Sequence, residues 1–81
     1  MYYFYIFRCN DSSLYCGSTK NLANREKIHN SGKGSKYIRA HGGGEIVYTE
    51  KLSSVSKALK REAEVKRWKR TKKLELVASV V

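Results

Sequence analysis

Two tyrosine-bearing stretches open the chain, and an arginine, a histidine and an isolated glutamate come after them at spacings that suit phosphodiester chemistry. The first stretch is Tyr3-Phe4-Tyr5-Ile6, and the second is Leu14-Tyr15-Cys16-Gly17-Ser18-Thr19. Arg25 and His29 come directly after, in a segment of helical character, while Glu62 stands far downstream where a helical face should be apolar. The planar fork of a guanidinium suits a phosphate that gains charge as it is attacked. One carboxylate, with waters and substrate phosphate oxygens, suits Mg²⁺, which keeps much of its hydration shell. A free phenol has a pKa of about 10 and acts as a base near neutrality only beside positive charge. Together these are the parts needed to cleave a phosphodiester next to a divalent cation.

Each of these residues also has a plainer reading. Placed on a helix over residues 53–69, Val55, Ala58, Leu59, Ala63 and Val65 form a broad apolar arc with Glu62 near its middle. A lone carboxylate there is costly unless it is paired or metal-bound. Lys66, one turn on, offers an ordinary pairing as the alternative. Glu64 points the other way, among Lys57, Lys60, Arg61 and Arg67. On the first helix, Leu22, Arg25, Glu26 and His29 share a face, which stacks Arg25 and His29 one turn apart. Taken singly, Arg25 reads as a salt bridge or a solvated face, and His29 as a surface imidazole near a helix end. Their shared face beside the tyrosines favours the chemical reading of both. Tyr2 and Tyr3 read as strand packing.

The elements that must position these groups can be read from local chemistry. Residues 2–9 are almost all aromatic or β-branched, which predicts a strand covered on both faces. Asn10-Asp11-Ser12-Ser13 is turn chemistry, and residues 14–19 return as a second strand. Tyr5 and Tyr15 share a face only if paired residue numbers sum to an even value, as with Cys9 opposite Tyr15 and Phe7 opposite Gly17. That register needs an odd loop such as Asp11-Ser12-Ser13, and it puts Cys9 and Cys16 on opposite faces. Asn21 caps a helix to about Asn30, ended by Gly32 and Gly34. Residues 32–44 read as a loop carrying Lys33, Lys36, Tyr37, Arg39 and His41. Glu45-Ile46-Val47-Tyr48-Thr49 reads as a third strand. Ser53 or Ser54 caps a long helix through about Lys69, and Thr71 caps a short last one over 72–79. Trp68 should link these two helices. The order ββαβαα predicts one α+β domain over residues 1–81, a small three-stranded antiparallel sheet flanked by helices.

Composition bounds the partners. Among 81 residues, 17 Lys and Arg face 7 Asp and Glu, a formal net charge of +10. Such an excess draws polyanions from a distance, with nucleic acid the first candidate and an anionic membrane surface the second. No stretch is apolar for long enough to span a bilayer. The opening residues lack the positive n-region of a secretory signal, and two cysteines are too few for a disulfide framework, so a reduced, cytoplasmic protein is expected. The glycines do not satisfy the phosphate-loop pattern, and no Cys/His cluster has zinc spacing. From Ser53 to Lys73 the chain holds nine Lys and Arg against two Glu. Part of that run is a solvated face. The remainder, with Lys20, Lys33, Lys36, Arg39 and Lys66, is expected to contact phosphates in a salt-sensitive, sequence-independent way, and Tyr37 to stack on an unpaired base.

The motifs together resemble the GIY-YIG nuclease domain over nearly the whole chain. Tyr3-Phe4-Tyr5 stands for its first motif and Tyr15-Cys16-Gly17 for its second. The run Gly17-Ser18-Thr19-Lys20-Asn21-Leu22, with Arg25 and His29, is similar to the family's segment just after the second motif. Ala58-Leu59-Lys60-Arg61-Glu62 looks like the segment bearing the family's metal-binding glutamate. The chain departs at Tyr3 and Phe4, where the family has glycine and isoleucine, and at Cys16, where it has isoleucine. The resemblance is closest to short stand-alone bacterial members related to the catalytic domain of the excision-repair incision subunit. It implies catalytic roles for Tyr5, Tyr15, Arg25, His29 and Glu62. The two tyrosines would activate or orient the attacking water, Arg25 would stabilise the charged phosphorus centre, and His29 would assist by hydrogen bonding or proton transfer. Glu62 would hold a single Mg²⁺ or Mn²⁺. The expected function is a metal-dependent DNA endonuclease of repair or recombination, acting on branched, flapped or damaged DNA, with a protein partner to supply specificity. The alternatives are a nucleic-acid-binding module of little or no activity on the same fold, and a small basic docking protein.

Overall fold

The computed structural model describes residues 1–79, so the last two positions of the expected 1–81 domain lie outside the described residues. The chain runs β1 (Tyr2–Cys9), β2 (Leu14–Thr19), α1 (Leu22–Asn30), α2 (Lys36–Ala40), β3 (Gly44–Leu52), α3 (Val55–Lys66) and α4 (Arg70–Ala78). The three strands form an antiparallel sheet in the order β2-β1-β3, so β1 is central and β2 is an edge. The α+β architecture is the expected one, with the five-residue α2 added inside what the sequence presents as a loop.

Residue alternation along β1 divides the core. Phe4 and Ile6 pack with Cys16 and Val65, beneath α3 and α4, where Trp68, Leu76 and Val77 join them. Tyr5, Phe7 and Cys9 pack with Ile38 on the other face, beneath α1 and α2, with Tyr15, Leu22 and Ile46 around them. Cys9 and Cys16 are thus buried on opposite faces. The hairpin keeps the expected parity with a different register: Phe7 pairs with Tyr15 and Tyr5 with Gly17. The loop is Asn10 to Ser12, closed by the Cys9 amide donating to the Ser13 carbonyl at 2.8 Å. Asp11 Oδ1 takes the Ser13 amide at 3.0 Å and sets the turn. Ser12 absorbs the reversal with φ of 72°.

Caps place the helices. Asn21 accepts from the Asn24 amide at 3.0 Å and starts α1 as expected. Ser35 does the same for α2 through the Tyr37 amide at 3.1 Å, and the fully buried Ile38 pins that short helix to the sheet. Of the two serines before α3, Ser54 is the cap. The helix ends at Lys66, three residues earlier than expected. The next helix starts after Lys69 without a side-chain cap, and Thr71 lies inside its first turn. β3 is longer than expected and carries a bulge, since Ile6 faces Tyr48 while Phe7 faces Ile46. The Ile46 amide donates to Glu26 Oε2 at 2.7 Å, tying the bulge to α1.

The buried side of α3 differs from the expected arc. Ala58 and Val65 are fully buried, whereas Val55 and Leu59 are 46% and 53% exposed and Ala63 is exposed. Arg61, expected on the basic surface, turns to the sheet instead. Its Nε and one terminal nitrogen donate to the two Glu50 oxygens at 2.9 Å each, and the Tyr48 hydroxyl donates to Glu50 at 2.6 Å. Arg61 also pairs with Glu64 and lies over the Trp68 ring. Burial would raise the Glu50 pKa, but the hydrogen bonds from Arg61 and Tyr48 outweigh it and hold the carboxyl below its usual range. A depressed folded-state pKa means stability that is complete above the unfolded value and lost as pH falls through the folded one. Arg61→Met, which keeps the stem over Trp68, is therefore expected to destabilise the fold by about 1 kcal/mol at pH 7 in urea titrations. The gap between variant and parent should shrink below about pH 4. A gap independent of pH would show that the charge on Glu50 is not its source.

Candidate active site

The central polar contact on the α1 face is between Tyr5 and His29. The Tyr5 hydroxyl lies 2.9 Å from His29 Nε2, and the two residues are 2% and 3% exposed. His29 is thus buried rather than at the surface. Burial, and then the neighbouring Tyr15, push the Tyr5 phenol well above the ordinary tyrosine range, although Arg25 pulls it down. Burial, and then Arg25, lower the His29 pKa. Both shifts favour the uncharged forms, so the pair is a neutral phenol hydrogen-bonded to a neutral imidazole. Nδ1 is buried without a hydrogen-bond partner.

Two glycines make room for this pair. Tyr5 lies directly opposite Gly17 on the edge strand, and a Cβ there would fall 2.5 Å from the Tyr5 hydroxyl oxygen. The phenol can therefore cross β2 only because position 17 has no side chain. At Gly34, a Cβ would fall 2.5 Å from His29 Nδ1 and 3.2 Å from His29 Cα, so the chain after α1 closes tightly on the imidazole.

The other expected groups surround this pair. The Phe7 and Tyr15 rings meet the His29 ring edge-on, at centroid distances of 5.2 and 5.7 Å. Arg25, one turn before His29, is close enough to act electrostatically on both Tyr5 and His29. Its Nε is buried and unpartnered, unlike that of a salt-bridged or solvated arginine. A buried donor left unpaired in a cationic region is unusual and suits a group awaiting an anion.

Glu62 comes from the opposite layer. Val65, one turn on, packs under the other face of the sheet, and Ser18 of β2 donates to Glu62 Oε1 at 2.6 Å. Lys66 Nζ takes Oε2 at 2.8 Å and sits 5.9 Å from the Tyr15 ring centroid. The carboxylate thus lies beside the edge strand, near enough to act electrostatically on Tyr5. The pairing with Lys66 that the spacing allows is present. Among the described residues no group of three His, Cys, Asp or Glu is placed to hold a metal, so a fully protein-ligated ion has no seat. One hard carboxylate that already attracts a cation does suit a largely hydrated Mg²⁺ or Mn²⁺.

The expected nucleic-acid contacts are mostly exposed. Lys20 comes directly after β2, and Lys33, Lys36 and Arg39 are open to solvent. Tyr37, 41% exposed, packs on Tyr15 at 5.8 Å and on His41 at 4.3 Å, which brings α2 to the rim. His41 is held in turn by Asp11 of the hairpin loop. Lys66 differs from the rest in being engaged by Glu62. Sequence reasoning missed Ser18 as the partner of Glu62 and Glu26 as the anchor of α1. The signal for Ser18 was its place after Gly17 in the family-like run from Gly17 to Leu22.

Comparison with known proteins identifies the family and agrees with the fold. The GIY-YIG catalytic domain family matches residues 1–75. A UPF0213 protein of Oceanobacillus iheyensis is 43% identical over 76 residues, covering 94% of this chain and 88% of its own. One from Clostridium perfringens is 44% identical over 79 residues, covering 98% and 85%. The solution NMR structure of a UPF0213 protein from Bacillus halodurans superposes with a TM-score of 0.62 at 42% identity, over 99% of this chain and 86% of that one.

Proposed function

The chain belongs to the GIY-YIG catalytic domain family, and from that premise we propose that it is a metal-dependent endonuclease hydrolysing DNA phosphodiester bonds in the cytoplasm. Membership carries nuclease-type chemistry, while the UPF0213 names specify no activity. The observation that carries the proposal is the unpartnered Arg25 Nε beside the buried Tyr5–His29 pair, with the Glu62 carboxylate brought to the same rim by Ser18.

Burial decides the division of labour. Tyr5 keeps its proton, so it positions rather than deprotonates, through its hydrogen bond with His29. Tyr15 is only half-buried and packs on the same imidazole, so its hydroxyl is placed to orient the attacking water by a hydrogen bond. Arg25 holds the non-bridging phosphate oxygens as they gain charge. Glu62 would hold a divalent cation, which when bound would supply charge neutralisation at the phosphate. Lys20, Lys33, Lys36 and Arg39, and Lys66 when released from Glu62, contact the flanking phosphates, and Tyr37 offers an exposed ring to a base. A role in repair or recombination on branched, flapped or damaged DNA, guided by a protein partner, fits a domain with so little surface for reading sequence.

The test is cleavage of flapped, branched and single-stranded oligonucleotides with Mg²⁺, with Mn²⁺ and with EDTA. Cutting that needs the metal is the expected result. Salt-sensitive binding without cutting under any condition would replace the enzyme with a binding module on the same fold.

A further inference from the structure

We propose that Lys66 is an internal counter-ion that occupies the cation place at Glu62 and gates it, so that only an ion of higher charge takes its seat. The inference rests on the reading of Glu62 as the metal-holding carboxylate. Both Glu62 oxygens are engaged, Oε1 by the Ser18 hydroxyl at 2.6 Å and Oε2 by Lys66 Nζ at 2.8 Å. The two partners differ in kind. Ser18 is a neutral donor from the edge strand and orients the carboxylate. The Lys66 ammonium brings a full positive charge to the spot where an arriving cation must bind.

The geometry makes this lysine a displaceable one. Glu62 and Lys66 lie one turn apart on α3, so the pair re-forms whenever the seat empties. The Lys66 side chain is 48% exposed, and pairs of this exposure are weak. The ammonium already lies 5.9 Å from the Tyr15 ring centroid, so on release it has a second resting place over that ring and stays on the rim. Glu64, the other carboxylate of this helix, is engaged by Arg61 and offers no competing partner. A monovalent ion gains no charge advantage over a tethered ammonium, whereas a divalent one does. Lys66 would thus set which ions enter and how tightly they are held.

Mn²⁺ binding to the intact protein without DNA tests this, read as loss of the free Mn²⁺ paramagnetic resonance signal. Four proteins are compared: the parent, Lys66→Met, Lys60→Met and Glu62→Gln. Lys60 lies on the same helix and is exposed, so its loss reports the general effect of removing one positive charge. The expected result is roughly threefold to tenfold tighter binding for Lys66→Met, less than a twofold change for Lys60→Met, and loss of binding for Glu62→Gln. Affinity unchanged in Lys66→Met, or raised equally in both lysine variants, overturns the gating role and leaves Glu62 as the metal ligand. Mn²⁺ binding that survives in Glu62→Gln removes the metal reading itself, and the gate with it. Circular dichroism spectra matching the parent confirm that each variant is folded.

Discussion

Replacing Glu62 with glutamine is expected to lower DNA cleavage about a thousandfold or more while leaving the fold intact. Glutamine keeps the length of the side chain and an oxygen that accepts from Ser18, now at 2.6 Å from Glu62 Oε1. What it removes is the charge. A cation at a reacting phosphate supplies several kcal/mol of transition-state stabilisation, and each 1.36 kcal/mol is worth about tenfold in rate. The structural loss is small by comparison. The pair with Lys66 is partly exposed, and such pairs contribute about 0.2–1 kcal/mol. Single-turnover cleavage at saturating Mn²⁺, alongside thermal unfolding, separates the two effects. Parental cutting rates in the glutamine variant would remove Glu62 from the mechanism.

Arg25→Ala should show the second largest effect, with an unusual stability signature. Loss of one preorganised donor to a developing oxyanion lowers rates about 10²–10³-fold. Arg25→Lys should recover little of this, because an ammonium lacks the planar fork. Most arginines removed from a partly buried site take stabilising bonds with them. The Arg25 Nε has none to lose, and the guanidinium charge opposes protonation of the buried His29. The alanine variant should therefore unfold at a temperature no lower than the parent. Parallel loss of stability and activity would mean that Arg25 serves the fold.

Much of this was legible in the sequence where the chemistry is local. The turn residues from Asn10 to Ser13 announced the hairpin, Asn21 the start of α1, and the i, i+4 spacing the shared face of Arg25 and His29. Legibility failed where distant elements decide. The parity of the hairpin was readable, but closing the loop one residue earlier shifted its pairing, so Tyr5 met Gly17. α2 was hidden because five residues between glycines have too little periodicity to register, and its anchor, Ile38, is meaningful only against the sheet. Arg61 looked like one more cation in a basic run until β3 supplied Glu50. Glu62 was visible as an oddity, yet nothing in its neighbours told that it reaches Ser18 from the other layer.

The passage of the Tyr5 phenol over Gly17 has a consequence for how a polymer is handled. Because the groups proposed to react gather beside a border strand, a nucleic acid would be laid against them sideways on that proposal. No free terminus would then have to be threaded, and a closed circle would be engaged in its interior as readily as a linear chain.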